Sequence, residues 1–202
     1  MKKNKSLINR SAIVLWCFAV TMIFSSQFLL AQKFVSVKGK DIIDPQGNKL
    51  ILKGTNLGNW LVPEGYMFKF GEVSSPAAID RVFKELVGPV ETVKFWDKYL
   101  DAYITEEDIK YIKKSGANHI RLPFHYKMFT NEDYLNGENK GFIYLDRTIE
   151  WCAKAGLWVQ LDMHCAPGGQ TGDNIDDSYG YPFLFESDTH INFFKPALNI
   201  LM

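Results

Sequence analysis

Three short stretches of this 202-residue sequence gather side chains suited to hydrogen-bonding hydroxyl groups. The first, Asn56 to Glu64, carries Asn56, Asn59, Trp60 and Glu64. The second, Arg121 to Tyr126, carries Arg121, His125 and Tyr126. The third, Asp162 to Gln170, carries Asp162, His164 and Gln170, with Asp173 and Asn174 just beyond. Amides, carboxylates, Arg and His supply donors and acceptors for sugar hydroxyls, while aromatic faces cover the apolar C–H side of a sugar ring. Taken singly each residue has a plainer use. Arg121 suits a buried ion pair, His164 a satisfied core histidine, and Trp60 simple core.

Other chemistries find less support. No H-E-x-x-H and no paired CxxC occurs, and His119, His125 and His190 show no metal-ligand spacing with His164. G-x-S-x-G and G-x-G-x-x-G are also missing, which removes the common serine-hydrolase and dinucleotide signatures. The formal charge is zero, but Lys2, Lys3, Lys5 and Arg10 lie in a stretch, residues 1 to 31, that has no acid. The remainder is therefore acidic by four charges, and nucleic acid is not an expected partner. With 47% hydrophobic and 23% charged residues the chain is too apolar to stay disordered.

Residues 1–31 read as an export signal. Lys2 to Arg10 is a positive n-region, and Ala12 to Phe24 is an apolar run broken only by Thr21, shorter than the ~20 residues a membrane span needs. Cleavage after Ala31 or Gln32 would give a secreted product, extracellular, periplasmic or on the cell surface, with no membrane attachment. An uncleaved anchor is the lesser alternative. Cys17 leaves with the signal, and Cys152 and Cys165 read as two small buried hydrophobes rather than a bridge.

Strands alternating with helices must position the three polar stretches. Asp44 to Asn48 is a run of turn formers between Asp41–Ile43 and Lys49–Leu52, which reads as a hairpin preceded by the alternating Phe34–Val37. Its second arm runs into Gly54 to Trp60. Ser75-Pro76 starts a helix with Ile79, Val82, Phe83 and Leu86 on one face, and Gly88-Pro89 ends it. A second helix covers about Val90 to Tyr103. Thr105 to Asp108 is a capping-box pattern, and Gly116 a stop. Ala117–Leu122 reads as a strand closed by Pro123. Leu145–Ala155 reads as a helix with Ile149, Cys152 and Ala153 on one face, and Leu157–Asp162 as a strand. Repeated helix, Gly, strand units predict an α/β fold with a parallel sheet, whose polar residues gather at the strands' C-terminal ends.

The sequence at those strand ends resembles glycoside hydrolase family 5, the cellulase-like family, and most closely its glucan glucosidase (exo-1,3-glucanase-like) branch. The resemblance spans roughly Val35 to Phe185. It rests on Gly54-Thr55-Asn56-Leu57-Gly58-Asn59-Trp60-Leu61 with Glu64, on Ile104 to Asp108, on Gly116 to Pro123, and on Leu161 to Gln170 with Asp173-Asn174. It implies a (β/α)8 barrel acting on β-glucan or another β-linked saccharide with retention and without a cofactor or metal. By resemblance Arg121 matches the arginine that holds the nucleophilic carboxylate, and His164 a histidine of the −1 sugar subsite. Glu64 and Asn174 match groups that bind substrate hydroxyls. His125 and Tyr126 fall where the family lines its cleft.

The sequence also departs from the family. The resemblance implies an acid/base Glu in an Asn-Glu-Pro motif after the fourth strand and a nucleophilic Glu after the seventh. No Asn-Glu-Pro occurs in these 202 residues, and neither Glu64 nor Asp162 matches a catalytic position. A complete barrel is typically about 250 residues. The expectation is a signal peptide, 1–31, followed by a truncated barrel, 33–202: the hairpin plus about four β/α units. Such a chain would have no catalytic residue of its own and would be inactive alone, with a missing C-terminal half-barrel as a partner. The alternative is a carbohydrate-binding remnant or pseudogene fragment that holds sugar without cleaving it.

Overall fold

A computed structural model describes residues 34–135, 139–178 and 180–192, so the expected signal at 1–31 lies outside the described residues. The chain divides into two compact units, one ending at Ile51 and the other beginning at Leu52.

In the first unit β1 (Ser36–Lys38) pairs antiparallel with β2 (Asp41–Ile43), Ser36 facing Ile43, across a turn at Gly39-Lys40. The hairpin expected around Asp44–Asn48 shrinks to one bridge, Ile43 to Lys49, plus a Leu50 N–H to Ile42 O bond of 2.8 Å. The Asp44 carboxylate draws the chain into a tight local turn by accepting the N–H groups of Gln46 and Asn48 at 2.9 and 2.8 Å. The ladder forms at the Gly39 turn instead.

The second unit holds β3 (Gly54–Asn56), α1 (Gly65–Phe68), α2 (Pro76–Val87), α3 (Pro89–Ala102), α4 (Glu106–Lys114), β4 (His119–His125), α5 (Gly141–Ala155) and β5 (Trp158–Cys165). The strands form a parallel sheet in the order β3-β4-β5, with Asn56 level with Arg121 and Leu122 level with Leu161. Three parallel strands stand among the described residues where about four β/α units were expected. After Cys165 the described chain runs through glycine-rich turns and short 3₁₀ segments, Asn174–Asp176 and Phe183–Phe185.

Helix ends obey the local sequence. Ser75 Oγ accepts the Ala78 N–H at 3.2 Å with Pro76 in the first turn of α2, and Thr105 and Asp108 close a reciprocal capping box on α4. Gly156 ends α5 in the left-handed conformation. Two faces differ from expectation. Ile79 is fully buried, but Leu86 lies 75% exposed at the far end of α2. Helix α5 begins four residues earlier than the pattern suggested and buries Tyr144, Leu145, Thr148 and Cys152, leaving Ala153 exposed.

Strand β4 continues through Pro123, which therefore does not close it. The Arg121 carbonyl accepts the Leu57 N–H, so alternate residues from Arg121 direct their backbone polar groups toward β3. Pairing with β3 ends at Arg121, and the N–H that Pro123 lacks falls beyond that ladder. Ile120, Leu122 and Phe124 point into a core shared with Ile79, Trp96, Leu100, Ile109 and Leu145. The alternate residues Arg121, Asp162 and His164 share the opposite face, away from that core.

Candidate active site

The loop after β3 folds inward and carries Glu64 with it. Trp60 and Leu61 are fully buried, and Trp60 Nε1 donates to the Leu100 carbonyl at 2.8 Å, so Trp60 is core and offers no face to a ligand. Asn59 adopts a left-handed φ of 60°. Its Oδ1 accepts the Glu64 N–H at 2.9 Å, and its carbonyl accepts the Tyr99 hydroxyl. This brace sets Glu64 at the start of α1 with only 7% of its surface exposed.

At the strand ends four side chains meet. Arg121 Nη2 lies 2.6 Å from Asp162 Oδ2, and that oxygen lies 3.1 Å from His164 Nδ1. On the other side of the ring, His164 Nε2 stands 3.8 Å from Glu64 Oε1. Arg121 Nη1 also donates to Asn56 Oδ1 at 3.3 Å, and Tyr66 OH reaches Glu64 Oε2 at 3.4 Å. The hydrogen-bonded Asp162 carboxylate, and after it the nearby Glu64 carboxylate, outweigh burial and push the His164 ring up to about 9. A charged ring donates Nδ1–H to Asp162, and the 3.3 Å approach of Arg121 Nη2 to Nδ1 is then proximity through their shared carboxylate rather than a bond. Two cations thus face two carboxylates in one open cluster.

One atom of this cluster is left over. Glu64 Oε1 is buried and receives no hydrogen bond from the described residues. An unmet buried acceptor costs about 1–3 kcal/mol.

The segment after β5 is stapled in place. Gln170 Nε2 donates to the His164 carbonyl at 2.6 Å, and its Oε1 accepts the Ala166 N–H at 3.0 Å. Asp176, 1% exposed, accepts the N–H groups of Gln170 and Thr171 at 2.7 and 2.5 Å. Burial pushes the Asp176 carboxyl up, but the bonds from Ser178, Thr171 and Gln170 prevail and hold it below the ordinary aspartate value.

Of the residues singled out from sequence, Glu64, Arg121 and His164 come together. His125 and Tyr126 sit in a second group. His125 is buried, its Nδ1 accepts the Lys127 N–H at 3.2 Å, and its Nε2 stands 3.3 Å from Asp177 Oδ2. Burial lowers the His125 pKa, so a neutral ring donates Nε2–H to Asp177. Asn174 Nδ2 is held by Ser74 Oγ rather than by the four-residue cluster. Sequence reasoning missed Tyr66, Asp177 and the ion-pairing role of Asp162. Asp162 was visible as a carboxylate two residues before His164 on one strand, a spacing that puts both on one face. Tyr66 and Asp177 gave no comparable signal. Among the described residues no group of three His, Cys, Asp or Glu side chains converges to hold a metal ion.

A profile of the cellulase family (glycosyl hydrolase family 5) matches residues 83–196. A beta-xylosidase of Phanerodontia chrysosporium is 38% identical over 148 residues, covering 72% of this chain and 30% of that protein. A glucan 1,3-beta-glucosidase of Pichia angusta is 37% identical over 125 residues, 59% of this chain and 28% of its own. The solved structure of rutinosidase from Aspergillus niger matches with a TM-score of 0.58 at 25% identity, over 70% of this chain and 40% of that one. The parallel α/β sheet agrees with that family's barrel architecture. This chain belongs to glycoside hydrolase family 5. It spans about 30% of the length of these two curated relatives.

Proposed function

We propose that these residues form the sugar-binding strand ends of an exported β-glucan hydrolase of the retaining type. The single observation carrying this is the unmet Glu64 Oε1 beside the His164 ring. A sugar hydroxyl placed there donates to Glu64, and a second acceptor of the sugar meets the charged edge of His164. Tyr66, 68% exposed and tied to Glu64 through its hydroxyl, borders the same spot and offers a ring face. The relatives' names, a beta-xylosidase and a glucan 1,3-beta-glucosidase, point toward β-linked saccharides as the ligand.

Cleavage with retention needs two carboxyl groups about 5–5.5 Å apart, one protonating the leaving oxygen and one attacking. Of the two strand-end carboxylates, Asp162 is engaged by Arg121 and Glu64 is placed to hold a hydroxyl. Hydrolysis therefore calls on an acid/base and a nucleophile other than these two. Arg121, by the family resemblance, orients the nucleophile; here its Nη2 is taken by Asp162, which favours as second reading a chain that holds sugar without breaking it. Export through residues 1–31 belongs to the same proposal. No helix of the described residues is long and apolar enough to cross a membrane.

The test is a calorimetric or NMR titration of the 202-residue chain with laminaritriose and with cellotriose. Binding should be at least about tenfold weaker in Glu64→Ala, since 1.4 kcal/mol is a factor of ten. Equal affinity in Glu64→Ala, with an unchanged melting temperature, would sink the proposal.

A further inference from the structure

Past the ends of β4 and β5 a cavity of about 230 Å³ lies between the Tyr126–Phe129 turn and the chain that follows Cys165. Its floor is already satisfied. His125 and Asp177 bond each other, Asp177 Oδ1 accepts the Ala77 N–H at 3.0 Å, and Asp176 is filled by its own loop. The choice of ligand falls to the rim, where Lys127, Glu132 and His190 stand with the rings of Tyr126 and Phe183.

Lys127 Nζ is 3.7 Å from Glu132 Oε2, too long for a hydrogen bond but close enough for the two charges to offset each other. His190 Nδ1 lies 3.1 Å from the Phe183 carbonyl and must donate there, and in the neutral ring Nε2 is then an acceptor. Phe183 keeps 43% of its surface exposed. The rim thus offers a donor, acceptors and aromatic faces with little net charge. An anion would meet Glu132 and Asp177, and a metal ion would meet Lys127. A neutral polyhydroxylated ring meets neither penalty. The volume lies below the ~300–1,000 Å³ of pockets for larger ligands and suits one ring.

We propose that this pocket is a second saccharide site, taking a single neutral sugar ring and distinct from the Glu64–His164 cluster. The inference rests on the reading of the chain as sugar-binding, but on different residues. It assigns contact to Lys127, Glu132, Phe183 and His190 and leaves buried His125 as floor.

The experiment titrates the 202-residue chain with methyl β-glucoside and separately with glucose 6-phosphate, followed residue by residue by amide NMR. Methyl β-glucoside should shift signals of Lys127, Phe183 and His190. That response should weaken at least tenfold in Phe183→Ala and in Glu132→Gln, and persist in Glu64→Ala. Glu132 is half exposed and the amide keeps its size, so a fold defect is separated by an unchanged melting temperature. Shifts confined to Glu64, Tyr66 and His164 would overturn the second site and leave the first reading standing. Shifts at the pocket alone would support the second site and remove the first. No shift anywhere would overturn both, and tighter binding of glucose 6-phosphate would replace the neutral ring with an anion and overturn this assignment.

Discussion

Arg121 and Asp162 hold each other at 2.6 Å across adjacent strands, two residues out of register, and His164 leans on the same carboxylate oxygen. The charge state of His164 is therefore set chiefly by a residue on its own strand and only secondarily by Glu64.

This relationship has a pH signature. The folded His164 ring titrates at about 9, above the ordinary value of about 6.5. A raised folded value means that the charged ring stabilises the fold fully below pH ~6.5, and that this contribution is lost as pH rises from there through about 9. The stability difference between the chain and His164→Gln should shrink across that window. Asp162→Asn removes the largest cause and should lower the ring's titration by about one unit or more, read from its ring-proton NMR signals. A ring still titrating near 9 in Asp162→Asn would contradict the assignment.

Gly54→Ala should be severe. A Cβ at Gly54 would stand 1.8 Å from the His119 carbonyl oxygen, an atom fixed in the β3–β4 ladder. Forced overpacking typically costs about 1–3 kcal/mol and more when the neighbour is backbone. Chemical denaturation should show a loss of about 3 kcal/mol, or no folded chain at all.

Two positions on α2 that share one hydrophobic pattern should respond differently. Ile79→Ala removes a fully buried side chain and should cost about 2–5 kcal/mol. Leu86→Ala, at an exposed site, should stay within about 0.5 kcal/mol. Denaturation midpoints check both, and equal losses would place Leu86 in the core after all.

Cys152 and Cys165 are both free and buried. Burial raises the Cys152 thiol to about 11 and raises Cys165 as well. Neither should react with a thiol reagent at pH 8 in the folded chain, and both should react on unfolding. A missing pair of thiols in the unfolded, unreduced chain would reveal a bridge.

Hydrolysis offers a further check on the proposed division of roles. The 202 residues alone should release no glucose from laminarin above background, because Asp162 is ion-paired with Arg121 and Glu64 faces His164, the position proposed for holding a hydroxyl. Robust release would show that Glu64 or Asp162 does work assigned to other groups.

Much of this was legible in the sequence because it is local. Ser75-Pro76, the Thr105–Asp108 box and Gly156 each name a helix boundary through contacts within a few residues. The convergence of Glu64, Arg121 and His164 followed from their places at strand ends, together with the family resemblance. What escaped was set by distant partners. Pro123 reads as a strand breaker until one knows that its missing N–H falls past the end of β3. Leu86 and Ala153 carry the right residue type for a core face, but no element among the described residues packs over them. His125 is the neutral partner of Asp177, fifty-two positions away, a pairing that no local pattern announces.

That last carboxylate has a consequence for how the molecule assembles. Asp177 binds His125 at the end of β4 and the Ala77 N–H at the start of α2, partners 52 and 100 residues distant. One side chain thus closes two long loops, and it has nothing to close until both elements exist. That dependence predicts a turn that forms late and opens early. Native-state hydrogen exchange should therefore show this turn opening at lower free energy than the three-stranded sheet and the helices packed behind it.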